Sequence, residues 1–245
     1  MTDRTIAALR AVEELGVPVV FVTGRPVRWM SEVAQHTKHT GVAICANGAV
    51  VYDLHAEKIV EHFAIPVDVG LEVARKLRAQ FPDLTFAVET LEGFAHEPSY
   101  VPRWDRGNLP TGELEVIYAS PALKLLARHE SMDPDALLAA AREVLGDLVE
   151  VTHSSDSALL EMSAAGVSKA TGLARFAGER GIDAVDVVAF GDMPNDLPML
   201  AWAGRPYAVE GGHPDVIAAV SRTVARPEED GVAKELERLF DLDIR

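Results

Sequence analysis

The sequence is poor in cysteine, in positive charge and in long apolar runs, and each shortage removes a class of protein. A single cysteine, Cys45, in 245 residues excludes an internal disulfide and any zinc site built from several cysteines, and fits a reducing compartment, the cytoplasm. Lysine and arginine number 23 against 38 acidic residues, a net charge of −15. With no cationic excess to displace counterions, nucleic-acid and anionic-membrane partners are disfavoured, and a phosphate-bearing ligand needs a local cationic pocket. No apolar run is long enough to span a bilayer, and there is no signal peptide and no internal repeat. The eight histidines are scattered. His36 and His39 share a helical spacing, but without an HExxH pattern both read as solvated surface residues. Neither GxGxxG nor GxxxxGK[ST] occurs, which sets the common nucleotide-binding fingerprints aside.

What remains is an ordinary globular composition, 48% apolar, in a chain long enough for one large domain or two modest ones. Thr5 to Leu15 places Ile6, Leu9, Val12 and Leu15 at near-helical spacing, with Thr2 or Asp3 as cap and Gly16 as stop. VPVVFVTGRP, Val17 to Pro26, is an apolar strand that ends in a hydroxyl, a glycine and a cation. Gly41 to Asp53 reads as two short strands around Asn47-Gly48, a pair suited to a tight turn with or without a ligand.

After Tyr52 the texture changes. A helix is expected from Val67 to Gln80, then strands at Leu84 to Glu89 and at Leu114 to Ala119 (LEVIYA), with an exposed loop, Pro98 to Gly112, between them. Asp133-Pro134 opens a helix that Gly146 closes, and strands follow at Leu148 to Thr152 and Ala158 to Met162. Strands in this region alternate apolar and polar, as in an antiparallel sheet with one wet face, whereas those before and after it are apolar throughout. The contrast predicts an α/β core made of residues 1–60 and 164–245, with an α+β domain, 61–163, inserted into it.

The chemistry gathers at VDVVAFGDMPND, Val185 to Asp196. An apolar, β-branched run reads as a strand buried on both faces, and such strands deliver ligand groups at their carboxyl ends. Gly191 lets backbone approach closely, and Asp192 and Asp196, four apart, repel one another unless a divalent cation or a lysine lies beside them. Taken singly, Asn195 or Asp196 reads as a helix cap; the whole string at a strand end favours a functional site. In the same way Thr23, Gly24 and Arg25 could hold a phosphate oxygen or merely turn a strand into a helix. Lys169, in GVSK, stands at the start of a helix whose amide end favours an anion. The chain then continues through a strand at Tyr207 to Glu210, a helix opened by Gly211-Gly212-His213-Pro214, and a closing amphipathic helix from Val232 to Phe240.

TGRP after one strand, GVSK at a helix start and GDMPND after another strand together resemble motifs two, three and four of the haloacid dehalogenase (HAD) superfamily. ANGA, the inserted α+β region and the late EEDGVAKEL, Glu228 to Leu236, resemble its Cof-like members, which carry a type IIB cap between motifs two and three. The resemblance implies a doubly wound, Rossmann-like parallel sheet, a cap domain, and Mg2+-dependent hydrolysis of small phosphorylated metabolites such as sugar phosphates through an aspartyl-phosphate intermediate. It further implies that Thr23 and the Gly24 amide hold the phosphoryl oxygens and that Lys169 neutralises the phosphoryl group. Asp192 completes the magnesium site, Asp196 orients Lys169 or a metal-bound water, and Asn195 supports the phosphate. Arg25 and Asn47 are assigned to substrate positioning, and Tyr100, Arg103, Trp104 and Arg106 are cap residues that either touch the leaving group or form a solvated loop.

The family's first motif, DxDGT at the end of an opening strand, is absent, and with it the nucleophile and two magnesium contacts. Asp3 precedes a helix and follows no strand, so it is no replacement. Because that strand lies mid-sheet, a gap flanked by exposed apolar strand edges is expected. Met1 then reads as an internal methionine of a longer gene product, with about 20 residues ahead of it, a strand at ~3.3 Å per residue plus a loop. The chain by itself is expected to be inactive. The other reading is a catalytically inactive HAD-like protein that binds phosphorylated ligands as a sensor or regulator. The substrate and the oligomeric state are not legible in the sequence.

Overall fold

The computed structural model describes residues 1–37, 39–103, 109–155 and 157–244. Its contacts separate two compact units, Met1–Glu61 with Lys169–Arg245, and His62–Ser168.

The first unit opens on α1 (Asp3–Glu14), capped by the Thr2 side chain, which accepts from the Thr5 N–H. Gly16 follows with φ +80°, a left-handed value suited to glycine after a helix. Strand β1 (Val20–Val22), α2 (Met30–Thr37), β2 (Val42–Cys45), β3 (Val50–Asp53) and β4 (Lys58–His62) come next. They make a sheet in the order β1-β2-β3-β4, with β1 parallel and β3 antiparallel to β2.

The inserted unit carries α3 (Val67–Gln80), β5 (Thr85–Glu89), β6 (Phe94–His96), α4 (Leu114–Ile117), β7 (Lys124–Arg128), α5 (Pro134–Leu145), β8 (Val149–Thr152) and β9 (Leu159–Ala164). Its five-stranded sheet runs β6-β5-β7-β9-β8 and every pair in it is antiparallel. The first unit then resumes with α6 (Lys169–Gly178), β10 (Val188–Gly191), α7 (Leu197–Trp202), β11 (Arg205–Val209), α8 (Pro214–Ala219), β12 (Thr223–Val224) and α9 (Gly231–Phe240), where β10-β11-β12 form a parallel sheet. Parallel strands with crossover helices are the α/β arrangement that the apolar strand composition predicts. Among the described residues no helix is long and apolar enough to cross a membrane.

Five expectations fail. LEVIYA is a helical turn, not a strand: Tyr118 N–H donates to Leu114 O at 2.8 Å, which buries Leu114 and Tyr118 at i,i+4 and leaves Val116 70% exposed. The polar side of the five-stranded sheet is buried over its central strands, where Glu89, Lys124, Arg128, Glu161 and Ser163 lie, and is wet only at the edge, where Glu150 of β8 is exposed. Burial is tolerated because Lys124 pairs with Glu161, to which Ser154 also donates, and the Arg128 guanidinium lies 5.3 Å over the Tyr100 ring. Tyr100 is therefore buried, within a segment expected to be exposed; Arg103 is exposed, and Trp104 and Arg106 lie outside the described residues.

His39 is a core residue, 5% exposed, with its ring 4.4 Å from Phe21 and Nδ1 3.0 Å from Glu13 Oε1. Gly41 leaves it room, because a Cβ there would stand 2.7 Å from His39 Cε1. Finally, the strand expected from Val185 begins only at Val188, for Ala184–Asp186 forms a 3-10 turn and Val185 is 68% exposed.

The expected gap is present. β1 and β10 are edge strands of separate sheets, and between them lies a slot of about 800 Å3 lined by both.

Candidate active site

The strand ends of the first unit place the polar clusters. β1 stops at Val22, and Thr23 leaves the ladder: its N–H still donates to Ile44 O at 2.8 Å, while its Oγ1 accepts the Arg25 N–H at 3.1 Å. The hydroxyl thus folds the TGR segment back on itself, as the turn reading expects, and the Arg25 side chain is exposed.

The turn between β2 and β3 meets this segment. Ala46 N–H donates to Arg25 O at 2.9 Å and Asn47 N–H to Thr23 O at 3.0 Å. Asn47 takes a left-handed conformation, φ 58° and ψ 30°, which asparagine tolerates better than most residues, and its side chain is 3% exposed. Cys45, just ahead, is buried and its thiol is pushed up to about 12 by that burial, so it is no nucleophile at neutral pH.

Asn195 closes the circuit from the other sheet. Its Nδ2 donates to Asn47 Oδ1 at 3.0 Å, and its own Oδ1 is buried without a hydrogen-bond partner among the described residues. An orphaned buried acceptor is costly and calls for a donor.

Next to it, Asp196 is 4% exposed and fully used. Oδ1 accepts Lys169 Nζ at 2.6 Å, and Oδ2 accepts the backbone N–H groups of Asp192 and Met193 at 3.0 and 3.1 Å. Gly191 makes this possible: a Cβ there would stand 2.6 Å from Asp196 Cβ. Lys169 is the first residue of α6 and is 6% exposed, and Gly172, one turn on, lets that helix lie against the Asn47-Gly48 turn, with a virtual Cβ 3.3 Å from Gly48 Cα.

Asp192 is the carboxylate left over. As a residue it is exposed, yet its carboxyl is held above the usual carboxylate range, first by partial burial and then by Asp196, with Lys169 pulling the other way. Two carboxylates therefore share one lysine, and the negative charge is under-compensated. A hard divalent cation such as magnesium takes one or two carboxylate oxygens from a protein and keeps several waters, so it fits an accessible Asp192 oxygen and an unsatisfied Asn195 Oδ1 on one turn.

Hydrogen bonds thus link Thr23 to Asn47 and Asn47 to Asn195, the peptide bond leads from Asn195 to Asp196, and Asp196 accepts from Lys169 and from the Asp192 N–H. The sequence-predicted residues gather at these neighbouring strand ends, with Arg25 and Asp192 exposed and the others at least partly buried. Sequence reasoning missed two supports. Asn47 and Asn195 act as a bridge, for which only their shared amide chemistry was a signal. Gly212 and His213 brace Asp192 from behind: His213 N–H donates to Asp192 O at 2.7 Å, and a Cβ at Gly212 would stand 2.7 Å from that oxygen.

The model of the haloacid dehalogenase-like hydrolase family matches residues 1–236. The chain is 25% identical over 250 residues to the 5-amino-6-(5-phospho-D-ribitylamino)uracil phosphatase YitU of Bacillus subtilis, covering 99% of this chain and 92% of that one. It is 28% identical to the phosphatase YbjI of Escherichia coli, described with the same substrate, covering 97% and 89%. Pyridoxal phosphate phosphatase YbhA of Escherichia coli is 25% identical, with 94% and 89% covered. Among solved structures, a HAD subclass IIB sugar phosphatase superposes with a TM-score of 0.82 at 20% identity, covering 99% of this chain and 93% of that one. A phosphatase of Bacteroides thetaiotaomicron gives 0.81 at 22%, covering 99% and 89%, and at such identities the likeness is one of fold. Matched along nearly all its length, the protein belongs to the haloacid dehalogenase-like hydrolases.

Proposed function

We propose that this site binds the phosphoryl group of a small phosphorylated metabolite beside Mg2+, as the acceptor half of a phosphohydrolase centre. The observation that carries the reading is the buried Lys169–Asp196 pair set between an accessible Asp192 and the Thr23–Asn47–Asn195 chain. Lys169, held by Asp196, keeps its ammonium aimed by a fixed anion and offers its remaining donors to phosphoryl oxygens. Thr23 and the Gly24 amide position those oxygens, Asn47 and Asn195 fix the spacing between the two loops, and Arg25 meets the substrate from the surface. Asp192 and Asn195 are the residues that would hold Mg2+, which supplies charge neutralisation at the phosphoryl oxygens. With both Asp196 oxygens engaged inside the protein, its part at the metal is to order the surroundings.

Hydrolysis in this family's manner needs a nucleophilic carboxylate whose oxygen attacks phosphorus as the alcohol leaves with a proton, after which water cleaves the acyl phosphate. The residues of this cluster bind and orient, and none of them is that carboxylate. The relatives' substrates, a phosphoribitylamino-uracil, pyridoxal phosphate and a sugar phosphate, share a polar monoester of modest size, which supports the same class here. A cytoplasmic location is consistent with the single buried thiol.

The second reading, an inactive phosphate-binding protein, is favoured by the lack of any DxD followed by Gly-Thr. The test compares p-nitrophenyl phosphate and sugar phosphate hydrolysis by the 245-residue chain and by a form extended ahead of Met1 with an apolar strand ending in DxDGT. The phosphatase reading expects activity from the extended form, lost when the first Asp of that motif becomes Asn. Equal activity in both forms would place the nucleophile elsewhere, and activity in neither, with phosphate still bound, would favour the inactive protein.

A further inference from the structure

The turn that carries Asp192 and Asp196 also carries a thioether. Of the six methionines, Met30, Met162 and Met199 are buried at 1%, 0% and 4% exposure, whereas Met1, Met132 and Met193 are at least partly exposed. Met193 alone of the exposed three stands in the candidate site. Its N–H donates to Asp196 Oδ2 at 3.1 Å and its carbonyl accepts the Asp196 N–H at 2.8 Å, so its main chain is bonded both ways to the residue that holds Lys169. Pro194 follows and confines Met193 to extended backbone, here φ −123° and ψ 160°, while Pro194, Asn195 and Asp196 are all buried. The Met193 side chain is half-buried, so part of it packs against the protein, on a backbone with little freedom to yield.

Two-electron oxidation turns a thioether into a sulfoxide, which is polar and carries a strong acceptor oxygen. The surroundings of Met193 penalise such an oxygen. Asp192 and Asp196 already share one lysine, and Asp196 takes the N–H groups of both Asp192 and Met193. A further acceptor competes for those donors and sets the negative end of a dipole where a phosphoryl group has to bind. The chain's one thiol does not intercept the oxidant, because Cys45 is buried and pushed up to about 12, which leaves almost no thiolate at neutral pH.

We propose that Met193 is a reversible oxidation site that weakens phosphoryl binding, an inference that rests on the phosphate-binding reading of this turn. In the step, the sulfur lone pair attacks one oxygen of a hydroperoxide, the O–O bond breaks and an S–O bond forms. The other oxygen leaves as water or an alcohol, taking up the proton of the transferred oxygen, and sulfur loses the two electrons that the peroxide gains. Reversal needs a sulfoxide reductase and a dithiol, which return the thioether, water and a disulfide; the single buried Cys45 is no such dithiol.

The test exposes the 245-residue chain to hydrogen peroxide, stops the reaction with catalase and follows each methionine by peptide mass spectrometry. Inorganic phosphate binding in MgCl2 is measured by calorimetry at each extent of oxidation, with hydrogen exchange of the Met193 and Asp196 amides as a second readout. The expected result is oxidation of Met193 ahead of Met30, Met162 and Met199, with phosphate affinity falling about tenfold or more in step with it and both amides exchanging faster. Methionine sulfoxide reductases with dithiothreitol restore both readouts. Met193→Leu, apolar and without sulfur, is expected to keep phosphate binding through the treatment, and Met193→Gln, with a permanent polar oxygen, to bind weakly without it. Met132→Leu stays as sensitive as the parent. Oxidation of Met193 no faster than that of Met162, or a peroxide-induced loss of binding that persists in Met193→Leu, would overturn the proposal. No phosphate binding by the untreated chain would sink the reading of the site itself, whereas binding that survives full oxidation of Met193 would sink this inference alone.

Discussion

Replacing Lys169 by Met tests whether the centre is the desolvated ion pair described above. Lys169 Nζ and Asp196 Oδ1 lie 2.6 Å apart with side chains only 7% and 5% exposed, so removing the cation leaves a carboxylate in the interior. Breaking a buried pair by deleting one partner costs about 3–5 kcal/mol. Here Asp196 keeps two backbone N–H donors, which holds the expected loss to the lower end, about 3 kcal/mol. With a urea dependence of about 3 kcal/mol/M for a chain of this size, the midpoint falls by ~1 M. The companion change Asp196→Asn keeps an acceptor for the two N–H groups while removing the charge. The double variant is therefore expected to cost about 1 kcal/mol, less than either single change. Urea unfolding of the four proteins, followed by circular dichroism, gives the coupling directly. A single-variant loss below about 1 kcal/mol, or additive effects in the cycle, would refute the desolvated pair.

Asp192→Asn removes the under-compensated charge. It is expected to leave the urea midpoint unchanged or raised while abolishing Mg2+ binding by calorimetry, the opposite stability effect to Asp196→Asn. Gly191→Ala forces a methyl to within 2.6 Å of Asp196 Cβ and is expected to cost about 1–3 kcal/mol in thermal or urea unfolding. Burial lowers the His39 pKa from 6.5, with Glu13 pulling it back. Below pH 6.5 the unfolded chain takes up a proton that the folded one refuses, so stability is present above 6.5 and is lost as pH falls towards the folded value. His39→Phe, which keeps a ring against Phe21, is expected to flatten that slope in pH-dependent unfolding.

The helix ends were the most legible features, because capping is local chemistry. Thr2 and Asp133 accept N–H groups three residues on, and Gly16 and Gly146 take the positive φ that ends α1 and α5. The polar motifs were legible because each follows an apolar strand, and strand ends on one side of a parallel sheet must gather. What failed depended on distant partners. No strand is expected at Lys124–Arg128, whose ends are charged, yet KLLAR is a central strand, with Glu161, 37 residues on, answering Lys124. His39 was misread for the same reason, its burial being decided by Phe21, Glu13 and the space at Gly41. Leu114, Val116 and Tyr118 alternate as a strand would, but Leu114 and Tyr118 also satisfy an i,i+4 helical face, and packing chose the latter.

The central claim, that clusters around Thr23, Lys169 and Asp192 form one phosphate-binding and metal-binding centre, is tested most directly by amide NMR of the chain titrated with inorganic phosphate and MgCl2. The account predicts that the Thr23, Gly24, Asn47, Lys169 and Asp192 signals shift together along one binding curve, and that Lys169→Met removes the response at all of them. Signals that move with different affinities, or a response at one cluster that survives the loss of Lys169, would contradict it.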